Sequence, residues 1–166
     1  MSADYLQREY SGGCQCGAVR YHARRLGPNP HLCHCRMCQK AVGNLFASLV
    51  RVKREDIGWT RGAPATFRSS AHVERGFCSR CGTPLFVVDD DSAHLAITIG
   101  SLDTPDLVPI LFEMGLEGHH PSLPQIDAAE QLGTTEEADG TESVAAISRT
   151  NRQHPDHDTA IWPPTE

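Results

Sequence analysis

The sequence predicts a mainly antiparallel β domain with little helix. Short runs of apolar and β-branched residues recur between turn residues, the mark of half-buried strands. Helical periodicity is scarce. Seven cysteines fall into three clusters between those runs, "CQC" at 14–16, "CHCRMC" at 33–38 and "CSRC" at 78–81.

"GAVRYHARR" (17–25) alternates apolar and polar residues and reads as a strand, which "LGPNP" then breaks. "NLFASLVRV" (44–52) is a second strand. "ATFRSSAHVERGFC" (65–78) reads as one strand running into a turn. "TPLFVVDD" (83–90) and "AHLAITIGSLD" (93–103) form a hairpin across an acidic turn, Asp89 to Asp91. One or two helical turns are expected at 36–42 and a second short piece at 53–56. The β core spans roughly residues 10–118, giving a domain over 1–120 and an extension over 121–166. "LGTTEEADGTES" (132–143) is acidic and poor in large apolar residues. It cannot bury enough surface to offset its ordering entropy, so a mobile loop is expected. At the end, Trp162 stands among prolines. It is either part of a free tail or an anchor that returns to the core.

Of 166 residues, 39% are hydrophobic and the net charge is −6 with histidine neutral. A general nucleic-acid binder usually carries a basic stripe, so that class is disfavoured. No apolar run approaches the ~20 residues of a membrane span. The start, "MSADYLQREY", lacks the apolar stretch of a secretory signal. The expectation is a cytoplasmic protein with reduced thiols. Seven cysteines are also odd in number, which rules out complete internal pairing.

Clustered cysteines of this kind read as zinc ligands. "CSRCG" is a Cys-x-x-Cys knuckle in which Gly82 can take a positive φ after the second ligand. "CQCG" is tighter, with Gly17 in the same place. Cys14, Cys16, Cys78 and Cys81 would close one structural site. Cys33, Cys35 and Cys38 then remain. Three protein ligands and one open position is the pattern of a catalytic zinc. A histidine could instead close a structural Cys₃His site, and His31, His34, His72, His94, His119 and His120 are available. An open three-thiolate zinc is a weak Lewis acid with formal charge −1. Its natural fourth ligand is a substrate thiol, which coordination keeps deprotonated. Arg36, Lys40 and Arg80 lie beside ligand cysteines. They could offset the negative charge and hold substrate carboxylates.

The motifs "GGCQCGAVRY" (12–21), "CHCRMCQKAVG" (33–43) and "FCSRCGTPLF" (77–86), in this order and spacing, resemble the glutathione-dependent formaldehyde-activating enzyme family. The resemblance covers roughly residues 10–115. It implies a β-tent of small antiparallel sheets with two zinc ions. Cys14, Cys16, Cys78 and Cys81 would hold the structural ion, and Cys33, Cys35 and Cys38 the catalytic one. It also implies carbon–sulfur lyase chemistry, the addition of glutathione to formaldehyde to give S-(hydroxymethyl)glutathione. The alternative is a non-catalytic zinc-stabilised binding module. The centromere protein V group also resembles this family, but the negative charge and lack of a basic tail argue against chromatin binding.

Overall fold

The structure is a computed structural model and describes residues 3–134 and 142–163. Among the described residues, ten strands form two sheets. The smaller holds β1 (Tyr10–Gly13), β2 (Arg20–Ala23) and β5 (Ile57–Arg61), in the order β1-β2-β5. The larger adds β3 (His31–Cys33), β4 (Ala47–Lys53), β6 (Ala65–Arg68), β7 (Val73–Phe77), β8 (Pro84–Asp89), β9 (His94–Thr98) and β10 (Phe112–Met114). Its order is β10-β3-β4-β9-β8-β7-β6. Helix α1 (Arg36–Val42) follows β3, and helix α2 (Glu142–Thr150) lies near the end of the chain.

The apolar runs explain most of this order. β4 is the long central strand, and Ala47, Leu49, Val50 and Val52 on it are buried. It pairs with β9 through Val50↔Ile97, and β8 and β9 make the expected hairpin. The core gathers Tyr21, Val50, Leu85 and Ile97, all fully buried, between the two sheets. The Tyr21 hydroxyl lies 2.8 Å from Ser101 Oγ, so its polar tip is satisfied inside the core.

Some elements differ from the expectation. Residues 65–78 are two antiparallel strands, β6 and β7, with Phe67 opposite Arg75, and not one strand. The bend falls at the polar "SSAH". β1, β3, β5 and β10 were not anticipated; three to five residues are too short to show a period. β10 pairs with β3 in parallel, against the antiparallel rule of the other pairs. The 53–56 piece is a 3₁₀ turn, Arg54–Asp56. Helix α2 occupies a stretch where no helix was expected. Most of the acidic loop expected at 132–143 lies at 135–141, outside the described residues. No helix among the described residues is long and apolar enough to cross a membrane.

Candidate metal centres

The loops that leave β1 and β7 bring two cysteine pairs together. The sulfurs of Cys14, Cys16, Cys78 and Cys81 all lie within 4.8 Å of one another. Cys14 and Cys16 are 3.6 Å apart, and Cys16 and Cys78 3.9 Å. A tetrahedral zinc with Zn–S bonds of about 2.3 Å needs sulfurs about 3.8 Å apart. The set therefore fits the ion. Gly17 and Gly82 both have φ near +70 to +80° (69° and 79°), turning the chain after the second cysteine of each pair. Backbone N–H groups of Val19 and Arg80 point at Cys14 Sγ and Cys78 Sγ, at 3.2 and 3.4 Å. Burial pushes the Cys14 thiol up to about 12. Burial also opposes ionisation of Cys81, but the Thr83 hydroxyl and backbone, with the Cys16 backbone, bring it down to about 6.

The second group is local. Cys33 ends β3, Cys35 caps α1, and Cys38 lies in its first turn. Their sulfurs also lie within 4.8 Å of one another, with Cys33 and Cys35 3.5 Å apart. Burial pushes Cys33 up to about 12. Cys35 is half-buried, and desolvation alone would raise it, yet backbone N–H groups of Cys38 and Met37 and the neighbouring thiols lower it. A buried set of soft donors, one already biased toward thiolate, suits zinc.

The group contains no histidine. His34 is fully buried and faces elsewhere. Its Nε2 lies 3.3 Å from Glu113 Oε1, and its ring 4.7 Å from that of His119. His31 stacks on Phe112 with its Nδ1 2.8 Å from the Asn29 carbonyl. His120 Nδ1 accepts from the Ser122 N–H. His72 lies in the turn between β6 and β7, and its carbonyl accepts from the Asp90 N–H.

Residues 112–118 brace the three-cysteine loop from behind. The His34 N–H donates to the Met114 carbonyl at 2.9 Å. Gln39 Nε2 donates to the Gly118 carbonyl at 2.7 Å. Gly115 has φ +69°, and a Cβ there would lie 2.6 Å from the Cys35 nitrogen, so only glycine lets β10 pass this close.

Two cavities lie close to this group and share Leu49 and Val87 as walls. One, of about 530 Å³, is lined by Met37, Lys40, Leu49, Phe67, Arg75 and Phe86 among others. Arg75 Nη2 lies 3.5 Å from Cys38 Sγ. The other, of about 520 Å³, reaches Cys33 and is lined by Asn29, His31, Arg51, Asp89, Ser92 and His94. Lys40 therefore reaches a cavity wall beside the cysteines. Arg36 lines neither cavity and donates to Gln39 Oε1 at 3.2 Å. Arg80 belongs to the four-cysteine knuckle and lines neither cavity. Arg75 and Arg51 escaped the sequence reading. Alternation of Val73, Arg75 and Phe77 on one strand face was the available signal for Arg75, hidden because β6 and β7 were read as one strand.

The end of the chain returns to the four-cysteine group. Trp162 Nε1 donates to the Cys16 carbonyl at 2.9 Å, and the His154 N–H to the Gln15 carbonyl at 2.6 Å. The His154 and Trp162 rings meet edge-on, with centroids 5.0 Å apart.

Fold and cysteine groups together define a small β protein with two sets of thiols able to hold metal ions. The chain belongs to the glutathione-dependent formaldehyde-activating enzyme family, whose model matches residues 9–113. A Halomonas elongata protein provisionally named as such an enzyme is 31% identical over 132 residues, 72% of this chain and 82% of that protein. An uncharacterized lyase of Schizosaccharomyces pombe is 30% identical over 78 residues, 47% of this chain and 56% of that one. A crystal structure of a Rhodobacter sphaeroides protein shares the fold, with TM-score 0.52 and 19% identity over 63% of this chain and 99% of that one.

Proposed function

We propose that this chain is a zinc-dependent carbon–sulfur lyase that joins a small thiol, glutathione or a close relative, to formaldehyde or a similar aldehyde. It catalyses the reverse step as well. The observation that carries this reading is the group of three cysteine sulfurs, without a histidine, with one cavity reaching Cys33 and another reaching Arg75 beside Cys38. Cys33, Cys35 and Cys38 would hold the catalytic zinc, and Cys14, Cys16, Cys78 and Cys81 the structural one. A zinc held by three thiolates would accept a substrate sulfur as fourth ligand and keep it deprotonated at neutral pH.

In the forward direction the sulfur attacks the carbonyl carbon. The C–S bond forms, the C=O π pair moves to oxygen, and that oxygen takes up one proton. The thiol released one on binding, so protons balance and nothing is oxidised or reduced. Arg75, a cation beside Cys38, is placed to hold the oxygen as its charge develops. Asn29, His31, Arg51, Asp89, Ser92 and His94 suit the carboxylates and ammonium of a peptide thiol. Lys40 adds charge at the other cavity, while Arg36 and Arg80 serve at longer range. The catalytic unit is residues 1–120, and 121–166 is an extension. The partners are small molecules in a reducing cytoplasm, not nucleic acid or membrane.

Exchange spectroscopy by NMR tests this. Zinc-loaded protein should speed interconversion of glutathione, formaldehyde and their adduct. Exchange no faster than the uncatalysed mixture would sink the assignment.

A further inference from the structure

The two cavities beside the three cysteines differ in chemistry. Resting on the thiol–aldehyde reading above, we propose that the 530 Å³ cavity is the electrophile subsite, and that it takes aldehydes carrying an apolar group in preference to formaldehyde.

Size is the first argument. Formaldehyde has two heavy atoms. At a water's share of about 30 Å³ each it needs on the order of 60 Å³. A cavity of about 530 Å³ is far larger and falls in the range of sites for whole organic ligands. Six-carbon aldehydes, with seven heavy atoms, need roughly 200 Å³ on the same scale.

Wall chemistry is the second. Phe67, Phe77, Phe86, Leu49, Val87 and Met37 form most of the surface. The polar side chains are Lys40, Ser69, Arg75 and Thr98, with no carboxylate among them. A peptide thiol such as glutathione brings two carboxylates, an ammonium and two amides. Its ammonium would find no anion here, and its amides would lose water without recovering hydrogen bonds. The neighbouring cavity offers Asp89 for the ammonium and Arg51, His31 and His94 for the carboxylates. The thiol is therefore assigned to that side, and an apolar chain to this one.

Position is the third. Arg75 lines the apolar cavity and also lies 3.5 Å from Cys38 Sγ. An aldehyde seated with its chain among the phenylalanines presents its carbonyl to the guanidinium and the thiol sulfur together. Phe67 and Met37 are both partly open to solvent, at 62% and 49% exposure. They form the outer wall, which sets chain length without supporting the core.

The experiment compares hexanal with formaldehyde in the glutathione exchange assay, each against its own uncatalysed rate. It uses zinc-loaded full chain and the variants Phe67→Ser and Met37→Ser. Both sites are exposed, so folding should be spared. In parallel, saturation-transfer NMR with hexan-1-ol, which cannot react, reports on binding alone. The expected result is a kcat/KM for hexanal above that for formaldehyde. Each variant should lower the hexanal value by roughly tenfold, the scale of losing one buried apolar side chain, and lower the formaldehyde value by distinctly less, so that the hexanal-to-formaldehyde ratio falls. Equal or better use of formaldehyde, or equal losses for both aldehydes, overturns the proposal. If neither aldehyde is accelerated, the thiol–aldehyde reading fails. Hexan-1-ol then decides the cavity. Transfer lost in Phe67→Ser keeps an apolar-ligand site, and no transfer to the native protein removes it.

Discussion

Arg20 is almost fully buried and holds two carboxylates, Asp103, whose side chain is 8% exposed, and the more exposed Asp158. Its Nη1 donates to Asp103 Oδ1 at 2.8 Å. Asp103 is desolvated, which alone would raise its pKa, but the Arg20 and Ser11 hydrogen bonds win and hold it below the ordinary 3.8. Its folded value is thus below its unfolded one. The stabilisation is complete above the unfolded value and is lost as pH falls through the lowered folded value. Asp103→Asn leaves a buried guanidinium partly uncompensated and should cost about 3 kcal/mol, read as a drop in urea midpoint at pH 7. The gap between native and variant should close as pH falls below 3.8. Arg75 makes a different test. It is partly buried on β7 and has no carboxylate among its hydrogen-bond partners, Ser69 Oγ and Cys38 Sγ. Arg75→Ala should lower kcat/KM by about 10²-fold, the usual cost of removing one donor to a developing oxyanion. An unchanged melting temperature would separate this loss from misfolding.

Among the elements, those with a periodic pattern and a punctuating neighbour were legible: α1, β4 and the β8–β9 hairpin. The brace at β10 was not. Phe112, Glu113 and Met114 are all exposed and show no alternation, and parallel pairing with β3 is set by tertiary contacts with no local signal. The grouping of the cysteines was legible, because chelating pairs declare themselves by spacing. The cavity walls were not, since they come from seven strands and a helix distant in sequence. The brace should matter to the metal. Gly115→Ala places a Cβ against Cys35 and requires a left-handed backbone from alanine, at a cost of about 1–3 kcal/mol. The three-cysteine group should then give up zinc to a chelator several-fold faster, with the four-cysteine group unaffected.

At the scale of the molecule, the two groups do different mechanical work. The four-cysteine group ties residues 14–16 to 78–81 across the core, so a metal held there would be coupled to folding. Cys78→Ser should lower melting temperature and soluble yield sharply, whereas Cys38→Ser should mostly spare the fold; equal losses would mean both sites are structural. The tail adds a second tie. Burial lowers the pKa of His154 from 6.5, and its neutral ring sits beside Arg61, with Nε2 3.4 Å from Nη1. A lowered folded value means docking is strongest above 6.5 and weakens as pH falls. The indole N–H signal of Trp162 should track this. Cutting the chain after Thr150 removes the donors to Gln15 and Cys16, and should speed zinc loss from the four-cysteine group.

The spacing of the cysteines also orders events on the ribosome. Residues 33–38 emerge together, so that trio can capture metal while most of the sheet is still unsynthesised. The other quartet stays half complete until Cys81 has emerged, 65 residues after Cys16. Stalled chains released at increasing lengths should therefore acquire metal in two steps. The thiols proposed for chemistry would fill first, and those that hold the sheets together only near the end of the β core.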